Sequence, residues 1–195
     1  MLVAALGIVA GCAMPFRTYY PAQVSSAESA NWRLSAVNVK APHSLSVSEE
    51  EVLVPKADIV WREDPRGDRY AQVEKIMSDA VTRGARGLKG KRRVALDVTM
   101  TRFHAMTFVA EAQAPGGIHD VEFDFAVRDV ATGKLLFGPE HVEASFPAMA
   151  GAQMVAARAA GQSQKSQIEA NVARAISGIL GLGPDARANY FGIGG

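Results

Sequence analysis

Two stretches leave this chain little choice of architecture. In residues 91–105, "KRRVALDVTMTRFHA", Val94, Leu96, Val98 and Met100 alternate with Ala95, Asp97, Thr99 and Thr101. In residues 118–130, "IHDVEFDFAVRDV", Val121, Phe123, Phe125 and Val127 alternate with Asp120, Glu122, Asp124 and Arg128. Successive side chains of a strand point to opposite faces, so each stretch reads as a long strand with one face buried. The second runs through "ATGK", where Gly133 can take a positive φ, into "LLFGPEHVEASFP". Strand, TG turn and strand make a hairpin.

The remaining elements assemble around that hairpin. "NWRLSAVNVKAP" (31–42) alternates at Trp32, Leu34 and Ala36, then shifts phase to Val37 and Val39. It reads as a strand with a bulge, ended by Pro42. "SLSVS" (44–48) and "ADIVW" (57–61) read as two further short strands. Asp64 and Pro65 mark a helix start, and Tyr70, Val73, Ile76, Met77, Ala80 and Val81 form one stripe at helical spacing. Gly84 and Gly87 stop it. A second, Ala-rich helical region runs from about 150 to 182, with Ile168, Val172, Ile176 and Ile179 as its stripe and Gly161 as a break. The expected fold class is α+β: an antiparallel or mixed sheet with amphipathic helices packed on one face.

The chain opens on "MLVAALGIVAGC". Residues 2–11 are apolar or small, and Val9-Ala10-Gly11-Cys12 has the form of a bacterial lipobox. Such a run enters the translocon, small residues fit the peptidase, and the cysteine is acylated. Residues 1–11 are therefore read as a lipoprotein signal peptide, truncated at its N-terminus because no Lys or Arg precedes Cys12. Cys12, the only cysteine, is the expected lipidation site. Ala13 stands where an inner-membrane retention signal has Asp, which points to the outer membrane. Residues 12–30, with Pro15, Pro21 and a Ser/Ala tract, read as a lipidated tether. Residues 31–182 read as a single domain, and 183–195 as a flexible Gly-rich tail.

The search for chemistry returns little. Lys and Arg total 21 against 20 Asp and Glu, which excludes the strongly basic domain of a nucleic-acid binder. His43, His104, His119 and His141 fall at no metal-ligand spacing and read as surface histidines. HExxH, CxxC, G-x-S-x-G and the Walker pattern are absent. Asp97, Glu122 and Asp124 read as a solvated sheet face, and the "RGD" at 66–68 as polar residues at a helix start. The expectation is no catalytic residue, no cofactor and no metal. One basic segment, Arg86, Lys89, Lys91, Arg92 and Arg93, is the candidate contact for a partner or for anionic lipid.

The order of features resembles a family of uncharacterised alphaproteobacterial envelope lipoproteins. "VPKADIVWREDPRGDRYAQVEKIM" precedes the paired strands "RRVALDVTMTRFHA" and "VEFDFAVRDVATGKLLFGP". More distantly, the chain is similar over residues 32–147 to the auxiliary lipoproteins of ABC-type lipid-transport systems. Val94, Leu96, Val98 and Phe103, then Asp129, Thr132 and Gly133, carry that likeness. The resemblance implies an accessory or interaction component of an envelope transport or secretion assembly. It supplies no catalytic residue. The expected function is thus a non-catalytic, periplasm-facing lipoprotein, held on the membrane by its anchor and binding a protein partner. A module carrying apolar ligand between sheet and helices is the alternative, and an envelope hydrolase the third reading.

Overall fold

The computed structural model describes residues 14–192. The elements in chain order are β1 (Met14–Tyr19), α1 (Ser26–Ser29), β2 (Trp32–Lys40), β3 (Ile59–Val60), α2 (Arg69–Gly84), β4 (Arg92–His104), α3 (Phe108–Gln113), β5 (Gly117–Asp129), β6 (Leu135–Ala144), β7 (Phe146–Ala148), α4 (Gly151–Ala159), α5 (Gln164–Ile179) and β8 (Ala188–Gly192). The fold is α+β. The strands form one mixed sheet in the order β2-β4-β5-β6-β1-β8, with β3 added to β4 and β7 to β5. The two pairings β2–β4 and β3–β4 are parallel, and the rest are antiparallel.

The alternating strands form as their sequences require. Val94, Leu96, Val98 and Met100 face Phe123, Phe125 and Val127 across the β4–β5 ladder, all buried. On top of them lie Val73, Ile76, Met77 and Val81 of α2, with Ile168, Val172 and Ile176 of α5. Gly84 lets the two helices meet closely, since a Cβ there would sit 2.5 Å from the Ala173 carbonyl oxygen. The phase shift in β2 is a register shift between Leu34 and Ala36. Gly161, at φ +77°, ends α4 and frees the chain to start α5, whose N-cap Ser163 accepts from the Ser166 amide.

Several expectations need correction. The 12–30 segment is not a tether over its described part. Residues Met14–Tyr19 are a strand between β6 and β8, Tyr20 is fully buried, and Val24 donates its amide to the Ile179 carbonyl. The Tyr20 hydroxyl donates to Asp185 at 2.7 Å and accepts from the Ala186 amide at 2.9 Å. Nor is 183–192 a loose tail, because β8 pairs with β1 along its length. The helix begins at Arg69, with Asp68 as its cap, while Asp64 instead accepts from the Trp61 indole. Residues 44–48 contribute only an isolated bridge, Val47 to Ile59.

β4 runs from Arg92 at one end of the sheet to His104 at the other, and these residues serve to name the ends. β1 is antiparallel to β6, and Thr18 lies opposite Ala144, the last residue of β6. Met14–Arg17 therefore run on beyond β6, where the Ser145 amide donates to the Arg17 carbonyl. The chain thus enters the sheet at the His104 end. Both α2 and α5 lead away from that end, since Lys165 pairs with Asp64 near their starts and Arg83 with Glu169 further along. No helix among the described residues is long and apolar enough to cross a membrane.

Candidate functional site

At the His104 end, a pocket of about 220 Å³ opens between the 52–54 loop, the end of β4, α3 and the start of β5. Its walls are Leu53, Val54, His104, Met106, Ala110 and Ile118, with the 113–117 turn closing it. Cavities of roughly 150 Å³ take up benzene, whereas drug-sized ligands need roughly 300–1,000 Å³. The pocket therefore suits one hydrocarbon segment or side chain rather than a whole lipid.

Local chemistry fixes this geometry. Thr107 caps α3 by accepting from the Ala110 amide at 2.9 Å, and its hydroxyl donates to the Val52 carbonyl at 2.8 Å. The buried Arg62 donates to the Glu50 carbonyl at 3.0 Å and to the Glu51 carboxylate at 2.9 Å. The backbone of the loop is thus held at Glu50 and Val52, just before Leu53. Its side chains are not buried by this: Val52, Leu53 and Val54 remain 45%, 53% and 46% exposed. Met106 packs closely on Gly117: a Cβ there would lie 2.8 Å from its sulfur, so the end of the Met106 side chain would have to move.

Beside the pocket runs a polar chain, buried except for the half-buried Arg102. Ser145 donates to Asp120 at 2.7 Å, Arg102 donates to the same carboxylate at 2.5 Å, and Arg102 lies 2.8 Å from His104 Nδ1. This is not the arrangement of a nucleophilic relay. The Ser145 hydroxyl is spent on a carboxylate, and a cation stands between the carboxylate and the histidine. The chain instead ties β4, β5 and the β6–β7 corner together. A second network secures the helices at the same end. Glu63 accepts from the Gln164 and Lys165 amides at the start of α5, where a carboxylate is favoured by the helix dipole. Arg158 of α4 reaches both Glu63 at 3.2 Å and Glu111 of α3 at 2.9 Å. Among the described residues, no three His, Cys, Asp or Glu side chains gather as a metal site.

The expected site residues are dispersed. Cys12 lies outside the described residues. Arg86, Lys89, Lys91, Arg92 and Arg93 are all exposed at the Arg92 end, opposite to where the chain enters. Arg92 donates to Asp129 at 2.6 Å, and with Thr132 it holds that carboxyl down at about 2. Arg93 donates to Ser35 at 2.9 Å. Arg86 and Lys91 extend into solvent.

The histidine reading is half right. His43 and His141 are exposed, but His104 and His119 are buried, as is Asp120. A register shift between Met100 and Arg102 changes the phase of β4 before it reaches His104. β7 then pairs with Gly117–His119, and Phe146 covers the His119 ring at 5.1 Å. Burial alone pushes the His119 imidazole down to about 3. The carboxylates of the open sheet face are separately engaged. Asp97 accepts from Asn38 and Arg128, while Glu122 and Asp124 flank His141 at 3.4 and 3.0 Å.

Comparison with known proteins places the chain. Residues 32–194 match a family described as "Family of unknown function (DUF6778)". The chain belongs to this family. Among curated proteins, none matches it. Among solved structures it is similar to the PelC dodecamer of Paraburkholderia phytofirmans, at 12% identity and TM-score 0.37, over 84% of this chain and 95% of that one. It is also similar to a candidate lipoprotein of Caulobacter crescentus, at 13% identity and TM-score 0.38, over 77% of this chain and 88% of that one.

Proposed function

We propose that this protein is a non-catalytic, lipid-anchored component of the bacterial cell envelope, facing the periplasm from the outer membrane. It serves there as an accessory to a transport or secretion assembly. The observation that carries this reading is the lipobox Val9-Ala10-Gly11-Cys12, which ends next to the first strand. An acyl chain on Cys12 contributes about 0.8 kcal/mol for each buried CH₂, and more than one chain makes the anchor stable. The exposed cations Arg86, Lys89, Lys91 and Arg93 stand at the far end of the sheet from the anchor. That placement favours an acidic protein partner over anionic lipid of the same membrane.

The space between sheet and helices is filled. Trp32, Trp61, Phe103, Phe123 and Phe125 are at most 1% exposed there, which argues against a lipid carried in the core. Growth with radiolabelled palmitate tests the anchor. Wild type takes up label and Cys12→Ser does not; no label on wild type, or equal label on both, overturns the proposal.

A further inference from the structure

We propose that the His104 end of the domain lies against the bilayer, with Leu53 and Val54 seated in the boundary between headgroups and acyl chains. This inference rests on the Cys12 anchor proposed above and adds an orientation and a contact surface to it.

The first support is reach. Cys12 precedes Met14, the first residue of β1, by two residues. Two residues extend at most about 7 Å. Met14 lies opposite Gly192 of β8, so this stretch is inside the sheet rather than on a swinging arm. A domain held that closely cannot turn its entry end away from the membrane.

The second support is position. β1 pairs with the end of β6, and β6 pairs with β5, whose first residues Gly117–His119 lie at this same end. Gly117 and Ile118 line the apolar pocket. Neighbouring strands are about 4.8 Å apart, which places the pocket wall roughly 10 Å sideways from the entry of the chain. The anchor and the pocket therefore share one end of the molecule.

The third support is what that end presents. Val52, Leu53 and Val54 are three consecutive apolar residues, each about half exposed, on a backbone that Arg62 holds at Glu50 and Thr107 at Val52. Beyond β7 the same end carries Met149 at 36% exposure and Val155 of α4 at 70%. Exposed apolar groups that the backbone holds outward mark a contact surface. Interfacial segments sink about 5–10 Å into the boundary layer, a depth that side chains on a fixed loop can reach. The pocket behind Leu53 then offers room for one hydrocarbon segment from below.

The lipidated protein is reconstituted in vesicles of phosphatidylethanolamine and phosphatidylglycerol. Acylated Cys12 has no thiol, so a single introduced cysteine takes an environment-sensitive fluorophore. Leu53→Cys reports on the proposed face. Val130→Cys reports on the opposite end, in the turn after β5, where an apolar residue is also exposed. Vesicles then receive lipids carrying a nitroxide quencher high on the acyl chain. The label at 53 is expected to lose most of its emission, and the label at 130 to keep it. Equal quenching at both sites, or stronger quenching at 130, overturns the orientation. So does a label at 53 that escapes nitroxide yet is shielded from aqueous iodide, which means that protein covers the face. Intact mass on the same sample reads the anchor separately. If Cys12 carries no lipid, the anchor proposal fails. The face is then read with a chain in which a hexahistidine directly precedes Ala13 and binds a nickel-chelating lipid, with the same expected and contrary results.

Discussion

Tyr20 shows how one side chain decides what a segment is. Its ring is fully buried, its hydroxyl bridges Asp185 and the Ala186 amide, and it thereby ties the first strand to the last. Tyr20→Phe leaves a buried amide without its acceptor, which costs about 1–3 kcal/mol. For a chain of this size, each kcal/mol lowers Tm by about 2–4 °C, so calorimetry should record a clear drop. His119 makes a contrasting case. Its folded pKa, about 3, is below the ordinary value of about 6.5 because burial disfavours the cation. The unfolded chain then binds the extra proton between those two values. Stability is whole above about pH 6.5 and falls by up to about 1.4 kcal/mol per pH unit as pH drops toward 3. His119→Leu should flatten urea-unfolding stability between about pH 6 and pH 4.5, above the range where most carboxylates titrate. An unchanged slope would mean that His119 is not buried in its neutral form.

At the scale of elements, the strongest sequence signals were the most faithful. Period-two alternation at Val94–Met100 and Val121–Val127 has a single physical solution once one face is covered, and both strands form as expected. The stripes of α2 and α5, and the break at Gly161, were legible for the same reason. β1 and β8 were not. "MPFRTY" is short and carries a proline, and its alternation of Phe16, Thr18 and Tyr20 becomes meaningful only when the distant "ANYFG" pairs with it. Long-range pairing leaves little trace in a local pattern. The pocket was invisible likewise, because it combines the 52–54 loop, α3 and the start of β5. The histidines went astray for two reasons: His119, in phase with Val121 and Phe123, is closed over by Phe146 of β7, and the register shift in β4 turns Phe103 into the core while His104 is buried opposite Asp120 on the other face. A direct test separates the two readings of the termini. A fragment spanning 31–182 lacks β1, β8, Tyr20 and Val24, and it uncovers the edge of β6. Its melting followed by near-ultraviolet circular dichroism should be broad or shifted well below that of a 14–192 fragment. Equal melting of the two would restore the tether.

The whole molecule is polar in the sense of having two unlike ends. One receives the chain from Cys12 and carries the apolar pocket with Leu53 and Val54; the other bears Arg86, Lys89, Lys91, Arg92 and Arg93. Between them stands a filled core and a sheet whose open face is laced with ion pairs such as Arg17–Glu143 and Arg128–Asp97. Such exposed pairs contribute little each to stability, but they keep that face wet. On the proposed reading the membrane meets the first end and a protein partner the second. Everything in it depends on Cys12. The most direct measurement is the intact mass of the protein extracted from membranes of cells that express it. The account predicts a mature chain that starts at Cys12 and carries added acyl mass. A chain that retains Met1 and a free thiol would contradict it.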